Sequence, residues 1–244
     1  MSVISSWYGA VKGWCQEQKL FLFGTLVTSV LLQLHMSSFH PDPHLDRAMN
    51  AVTIVMTPQG MGTGFFVTAD GCMLTAAHVV MDEKTGKYVP VKFMIHGETS
   101  MHDGIVVHAS GYEDIAYVCS KDNINPEYLR IVNTEGIKRG DTEYALGHTY
   151  GRVWNLTQGI VSRMGYFGHG VIGKKDGVTE RYNLWITSFI SWGNSGGPII
   201  DSHGDVIGML TEFDDVSHLG GPTGEGIATT GTDLLRYLRT LHGG

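Results

Sequence analysis

The chain is poor in the features that would place it in several common classes. Its 244 residues hold three cysteines, Cys15, Cys72 and Cys119, too few and too far apart for a disulfide-built scaffold. Lys and Arg total 17 against 24 Asp and Glu, and the cations are not clustered. Nucleic acid is therefore an unexpected partner, because neutralising phosphates requires grouped cations. The 12 histidines are scattered without the closely spaced ligand pairs of a zinc site, so neither a metal nor another cofactor is expected. Only seven prolines occur, but 33 glycines do, with 42% hydrophobic residues. That balance describes a turn-rich globular protein with more strand than helix.

One long stretch lacks charge. Leu20 to Phe39 contains no Asp, Glu, Lys or Arg, and as a helix it would span about 30 Å, the thickness of a bilayer core. Lys12 and Lys19 precede it and Asp42, Asp46 and Arg47 follow. This arrangement predicts an uncleaved anchor with residues 1–19 in the cytoplasm and the remainder outside. A cleaved signal peptide and a core-packing helix are the rival readings. Residues 40–48, with Pro41 and Pro43, are expected to form a linker.

Beyond it the pattern changes to short strand-like runs separated by Gly, Asp and Asn. They are 51–56, 64–68, 89–95, 104–108, 115–119, 144–146, 156–161, 183–187, 198–200 and 206–210. Many short strands at this spacing predict a sandwich or a barrel. A carboxy-terminal helix is expected over 233–241, where Leu234, Leu235, Leu238 and Leu241 recur at helical spacing.

The chemistry begins with Gly193-Asn194-Ser195-Gly196-Gly197-Pro198. Glycines around a serine let a loop adopt unusual dihedrals and direct backbone N–H groups into one pocket. Taken alone, the string also fits an ordinary glycine-rich turn, the lesser of the two readings. Upstream, Thr75-Ala76-Ala77-His78-Val79-Val80 follows Gly62-Thr63-Gly64, and Glu113-Asp114-Ile115-Ala116 follows that. A nucleophile, a base and an acid that orients the base thus occur in the order His, Asp, Ser, which excludes the subtilisin and α/β-hydrolase orders.

In these segments the sequence resembles the HtrA-type and trypsin-like serine peptidases. The likeness continues through Lys138–Asp141, Tyr144–His148, Thr157–Ser162, Gly204–Met209 and Gly224–Ala228, covering about residues 49–241. It implies an all-β fold of two six-stranded antiparallel barrels of the chymotrypsin-like type, over 49–130 and 131–244. It also implies His78, Asp114 and Ser195 as a triad, with Gly193, Asn194 and Ser195 around the oxyanion hole. Protein or peptide substrates would be cut through an acyl-enzyme. Phe189, Ile190 and Trp192 lead into the nucleophile loop, where this fold places part of the primary pocket. Thr211, Glu212, Phe213 and Gly226 are expected on the facing wall. No acid occurs in Phe189–Trp192, so a small or medium apolar residue is expected before the scissile bond, unless Phe189 and Ile190 simply fill the core. Asn194 replaces the Asp that pairs with a cut amino terminus in digestive relatives, so zymogen activation of that kind is not expected. No PDZ sequence is recognised up to Gly244, which leaves a PDZ-regulated trimer unexpected and any other oligomer open.

Cys72 and Cys119 are expected as two buried free thiols, with a disulfide as the alternative. A catalytically silent peptide-binding module and a membrane-associated structural protein are the alternatives to an enzyme. The expected location is extracytoplasmic and membrane-anchored, with secretion or a viral origin also open.

Overall fold

The structure, a computed structural model, describes residues 42–149, 151–172, 174, 177–213, 225–241 and 243. The uncharged run 20–39 lies outside them, and among the described residues no helix is long and apolar enough to cross a membrane. Where a linker was expected, Pro43–Asn50 is a helix, α1. Proline suits the first turn of a helix, whose N–H groups have no intrahelical partner in any case. α1 buries Ala48 and packs Leu45 and Met49 on the core.

Six strands follow: β1 Val52–Thr57, β2 Gly60–Phe66, β3 Cys72–Thr75, β4 Val91–Ile95, β5 His102–Ser110 and β6 Ile115–Ser120. They pair in the closed order β1-β2-β3-β6-β5-β4. A one-turn helix, α2 (Ala77–Val80), leaves β3. Six more strands close the second barrel in the order β10-β11-β12-β9-β8-β7. They are β7 Thr142–Thr149, β8 Arg152–Gly170, β9 Val178–Ile186, β10 Pro198–Ile200, β11 Val206–Phe213 and β12 Gly226–Thr230. Each of these strands thus has a neighbour on either side over at least part of its length.

Each barrel has its own apolar filling. Phe66, Met73, Val80, Phe93 and Val118 fill the first, and Val161, Leu184, Ile186, Ile199 and Ile207 the second. A third cluster joins Phe65 and Leu129 to Leu146, Ile200 and Leu234, and so welds the barrels together. The carboxy-terminal helix α3 runs from Gly231 to Leu241, two residues longer than expected. Thr230 caps it, accepting the Asp233 N–H at 3.1 Å and donating to the Asp233 carboxylate at 2.9 Å. Its inward face is Leu234, Tyr237, Leu238 and Leu241, with Leu235 turned aside. The Tyr237 hydroxyl donates to the His108 carbonyl at 3.0 Å, tying α3 to β5 of the first barrel.

Cys72 and Cys119 face each other across β3 and β6 and are joined in a disulfide. The expectation of free thiols is corrected here. The cysteines' pairing partners depend on strand register, which spacing alone does not reveal. The bridge closes a 47-residue separation, a length for which loop-closure arguments give about 2–4 kcal/mol of stabilisation. Full-length protein denatured without reductant should therefore titrate one thiol, that of Cys15, and three after reduction. The double variant Cys72→Ser/Cys119→Ser should unfold at lower denaturant concentration.

Candidate active site

The first barrel contributes a histidine and an aspartate. Ala76 lies in an extended conformation and α2 turns immediately after it, so His78 sits one residue into the turn with 27% of its side chain exposed. Asp114 ends the β5–β6 turn with φ at 56°, in the left-handed region that non-glycine residues rarely occupy. Its carboxylate receives two hydrogen bonds from His78, one from Nδ1 at 2.8 Å and one from the backbone N–H at 2.9 Å. The Asp114 carbonyl accepts the Ala77 N–H at 3.2 Å. With Nδ1 committed to Asp114, Nε2 is left as the ring nitrogen facing the cleft.

These contacts set the charges. Burial works against a charged imidazole, yet the negative Asp114 and its hydrogen bond outweigh it and raise the His78 pKa above its ordinary 6.5. Burial likewise opposes ionisation of Asp114, but the neighbouring His78 and the Arg181 guanidinium hold its pKa below the usual value. Glu113, next in sequence, points elsewhere, toward Arg236 at 3.8 Å.

Ser195 belongs to the second barrel, and threonines of the first hold its loop. The Thr63 N–H donates to the Ser195 carbonyl at 2.9 Å. The Thr63 hydroxyl donates to the Gly193 carbonyl at 2.6 Å, and the Thr75 hydroxyl to the Thr63 carbonyl at 2.7 Å. Two glycines are required by this close approach. Gly193 has φ at 99°, and a Cβ there would lie 2.1 Å from the His148 carbonyl oxygen. Gly196 has φ at 84°, and its Cβ would lie 2.3 Å from the Thr63 carbonyl oxygen. The Asn194 N–H donates to the Ser191 carbonyl at 3.1 Å, and its side-chain oxygen accepts the Thr149 hydroxyl at 3.0 Å. Asn194 thus shapes the loop from within. Among the described residues no acceptor is paired with the N–H of Gly193 or Ser195.

Ser195, His78 and Trp192 line one cleft of about 510 Å³, together with Met61, Val79 and Asp82. The His78 ring bond that the structure shows goes to Asp114, and among the described residues none joins the Ser195 hydroxyl to the imidazole. Phe189, 62% exposed, and Trp192, 68% exposed, stand out from the loop instead of filling the core. Ile190 does pack inward. A Cβ on Gly226 would lie 2.4 Å from its Cδ1, so the two residues face each other closely. Thr211 is buried, its hydroxyl donating to the Ile227 carbonyl at 3.3 Å. Glu212 accepts a hydrogen bond from His169 Nδ1 at 2.8 Å. Phe213 pairs with Gly226 through the backbone, and its side chain lies outside the described set.

Two buried titratable groups lie behind the loop, His148 at the end of the Tyr144–His148 stretch and Glu143 just before it. Burial pushes the His148 pKa down to about 4, and its Nδ1 accepts the Trp154 N–H at 3.1 Å. Burial also pushes Glu143 up to about 7, although its Oε1 accepts the Ser188 N–H at 3.1 Å. Oε2 of Glu143 and Oγ of Ser188 are both buried without partners.

A trypsin-like peptidase domain model matches residues 62–209. The chain belongs to the trypsin-like peptidase family. Over 172 residues it is 34% identical to a probable periplasmic serine endoprotease, DegP-like, of Chlamydia pneumoniae, covering 68% of this chain and 31% of that protein. A DegP-like counterpart from Rhizobium meliloti is 31% identical over 169 residues, 69% of this chain and 31% of the relative. The chain thus spans about a third of the length of these curated relatives. Among solved structures, the HtrA-type protease AlgW with a tripeptide matches with a TM-score of 0.68 at 24% identity, over 81% of this chain and 62% of that one. The active form of the protease Rv3671c from M. tuberculosis matches at 0.65 and 22% identity, over 78% and 79% of the two chains. At such identities these two show the shared fold.

Glu143 gives a stability prediction with a definite sign. A carboxyl raised from 4.5 to about 7 in the fold binds its proton more tightly when folded. The folded state is therefore favoured by low pH and loses stability as pH rises from 4.5 through 7. Glu143→Gln should raise the melting temperature at pH 8, by the equivalent of about 1–3 kcal/mol, and change it little at pH 4.5.

Proposed function

We propose that this chain is a serine endopeptidase in which Ser195 attacks the peptide carbonyl, His78 moves the proton and Asp114 orients His78. The observation that carries this reading is the paired bond of the buried Asp114 carboxylate to both N–H groups of His78, with Nε2 facing the cleft that Ser195 lines. In the proposed cycle Nε2 takes the Ser195 hydroxyl proton as Oγ adds to the carbonyl. The resulting oxyanion is met by the N–H groups of Gly193 and Ser195. The imidazolium then donates its proton to the leaving amine, and water, deprotonated by the same nitrogen, cleaves the acyl-enzyme. Asn194 serves this pocket by fixing the loop from inside, and its amide oxygen needs no newly cut amino terminus as a partner.

The close approach of Ile190 to Gly226 supports a shallow primary pocket, suited to a small or medium apolar residue. Glu143 is fully buried behind Ser188 and is not presented to a substrate. Thr211, Glu212 and Phe213, on the strand beside Gly226, are suited to pair with an extended substrate as an added strand. The uncharged run 20–39 supports a membrane tether. The periplasmic naming of the DegP-like relatives and the Cys72–Cys119 disulfide support an extracytoplasmic catalytic domain.

Peptide-library hydrolysis by the full-length protein tests the reading. Activity should rise with pH along a limb lying above 6.5, because only the neutral imidazole can accept the serine proton. Asp114→Asn should lower kcat by about 10⁴, and Ser195→Ala should abolish acylation. A protein that binds these peptides in the cleft and releases them uncut across pH 6–9 is a binding module instead. Ile190→Ala should shift the profile, raising cleavage after Phe relative to Val by about tenfold.

A further inference from the structure

Arg181 lies on β9 of the second barrel, 9% exposed, and reaches across to the first. Its Nη1 donates to the carbonyl of Glu113, the residue before Asp114. Its Nη2 is 3.7 Å from the Glu212 carboxylate on β11. Nothing in the peptidase motifs calls for a cation at this point, and burying a guanidinium is costly unless its partners compensate.

Those partners are organised around it. The Asn183 amide nitrogen donates to the Arg181 carbonyl at 2.6 Å, which fixes the orientation of that amide. The same nitrogen is 3.1 Å from Nε2 of His169. Nε2 is therefore the acceptor and the ring proton sits on Nδ1, which donates to Glu212 at 2.8 Å. Glu212 is held from one side by a buried imidazole and from the other by the guanidinium. Asp114, meanwhile, keeps φ at 56°, a strained conformation that persists only where the surroundings impose it. The Glu113 carbonyl in the grip of Arg181, and the Asp114 carbonyl on the Ala77 N–H, bracket that residue on both sides.

We propose that Arg181 and Glu212 form a positioning pair for the His78–Asp114 dyad, resting on the reading of His78 as the base. The guanidinium fixes the Glu113–Asp114 peptide and offsets the negative charge beside the imidazole, while the Glu212 carboxylate adds to that charge. The charged groups around the pair come from both barrels. Asp114, Glu212 and Glu83 act on His78. Asp114, Glu212, Glu113 and Asp233 act on Arg181, and Arg236 is engaged with Asp233 at 2.8 Å and Glu113 at 3.8 Å. The two members therefore push His78 in opposite directions. Removing the cation leaves more negative charge near the imidazole and raises its pKa; removing the Glu212 charge lowers it.

The test reads the His78 ring by NMR titration of the full-length protein with Ser195→Ala in the background. The His78 signal is assigned as the one missing in a His78→Gln sample. Arg181→Gln should raise the His78 pKa and Glu212→Gln should lower it, each by about half a unit. Arg181→Lys, which keeps the charge but loses the planar fork, should leave the titration near that of the parent. With Ser195 restored, it should lower kcat about tenfold with KM little changed. A residue that merely supported the fold would give neither the opposite shifts nor the kcat effect at constant KM. Shifts of the same sign, or no shift in either folded variant, would overturn the proposal. Should Arg181→Gln fail to fold, Glu212→Gln decides alone: the Glu212 side chain is 40% exposed, and an unmoved His78 titration in that variant contradicts the pair. The titration needs no turnover, so a wild-type protein without hydrolytic activity would defeat the role of His78 as base while leaving the electrostatic pair to be judged separately.

Discussion

The hydrogen bonds that Thr63 makes to the nucleophile loop are the constraint on which the rest of the site depends. The proposed base and acid stand on one barrel and the proposed nucleophile on the other, so the proposed catalysis requires the two to be held in register. Thr63 does this at two points, with its N–H on the Ser195 carbonyl and its hydroxyl on the Gly193 carbonyl. Thr75, three residues before His78, holds Thr63 in turn. The buried cluster of Phe65, Leu146, Ile200 and Leu234 supplies the bulk attraction behind these bonds. Apolar burial is non-directional and cannot set a loop to a few tenths of an ångström; buried hydrogen bonds can, because leaving one unmade costs about 1–3 kcal/mol. The glycines follow from this closeness. A side chain at Gly196 would collide with the Thr63 carbonyl and the Thr75 hydroxyl that make the junction.

Charge in the site is arranged with the same economy. Asp114 is buried and yet favours ionisation, because His78 and Arg181 face it. Glu143 is buried with only neutral backbone and hydroxyl donors beside it, and binds its proton near neutrality. His148, beneath the loop, resists protonation and stays a packing and hydrogen-bonding residue. Two carboxyl groups and two imidazoles within one protein thus differ in state because of what each touches. Burial opposes charge in all four, and only the dyad has opposite charge close enough to overcome it.

Much of this was legible in the sequence, because a motif makes residues neighbours before the fold does. Ser195 with its glycines, His78 after Thr75-Ala76-Ala77, and Asp114 before Ile115-Ala116 each carry a local context. The short strands were visible wherever β-branched runs stood between turn residues. What was not legible depended on the third dimension. β8 extends from Arg152 to Gly170, although Gly165 and Gly168 read as interruptions and its outer half has no clean apolar alternation. β3 drew no strand expectation, since four residues give little periodicity. The prolines before α1 suggested a linker, when one of them opens a helix. The disulfide required the register of Cys72 on Cys119. Arg181 and Glu143 are single residues without a motif, and Thr63, although it stands in Gly62-Thr63-Gly64, carries no sign of its partners; only packing reveals what they touch. The strand expected at 183–187 did not reach Arg181, which lies on β9 ahead of it.

The central claim is that the two barrels assemble a reactive Ser195. The most direct measurement is intact-mass and peptide-level mass spectrometry after exposure to a fluorophosphonate, which bonds preferentially to an activated serine oxygen. The account predicts one adduct per chain, located on the peptide containing Ser195, formed faster as pH rises past the His78 transition and absent from His78→Gln. Wild-type protein that remains unmodified at pH 8, or that is labelled equally well without His78, would contradict it.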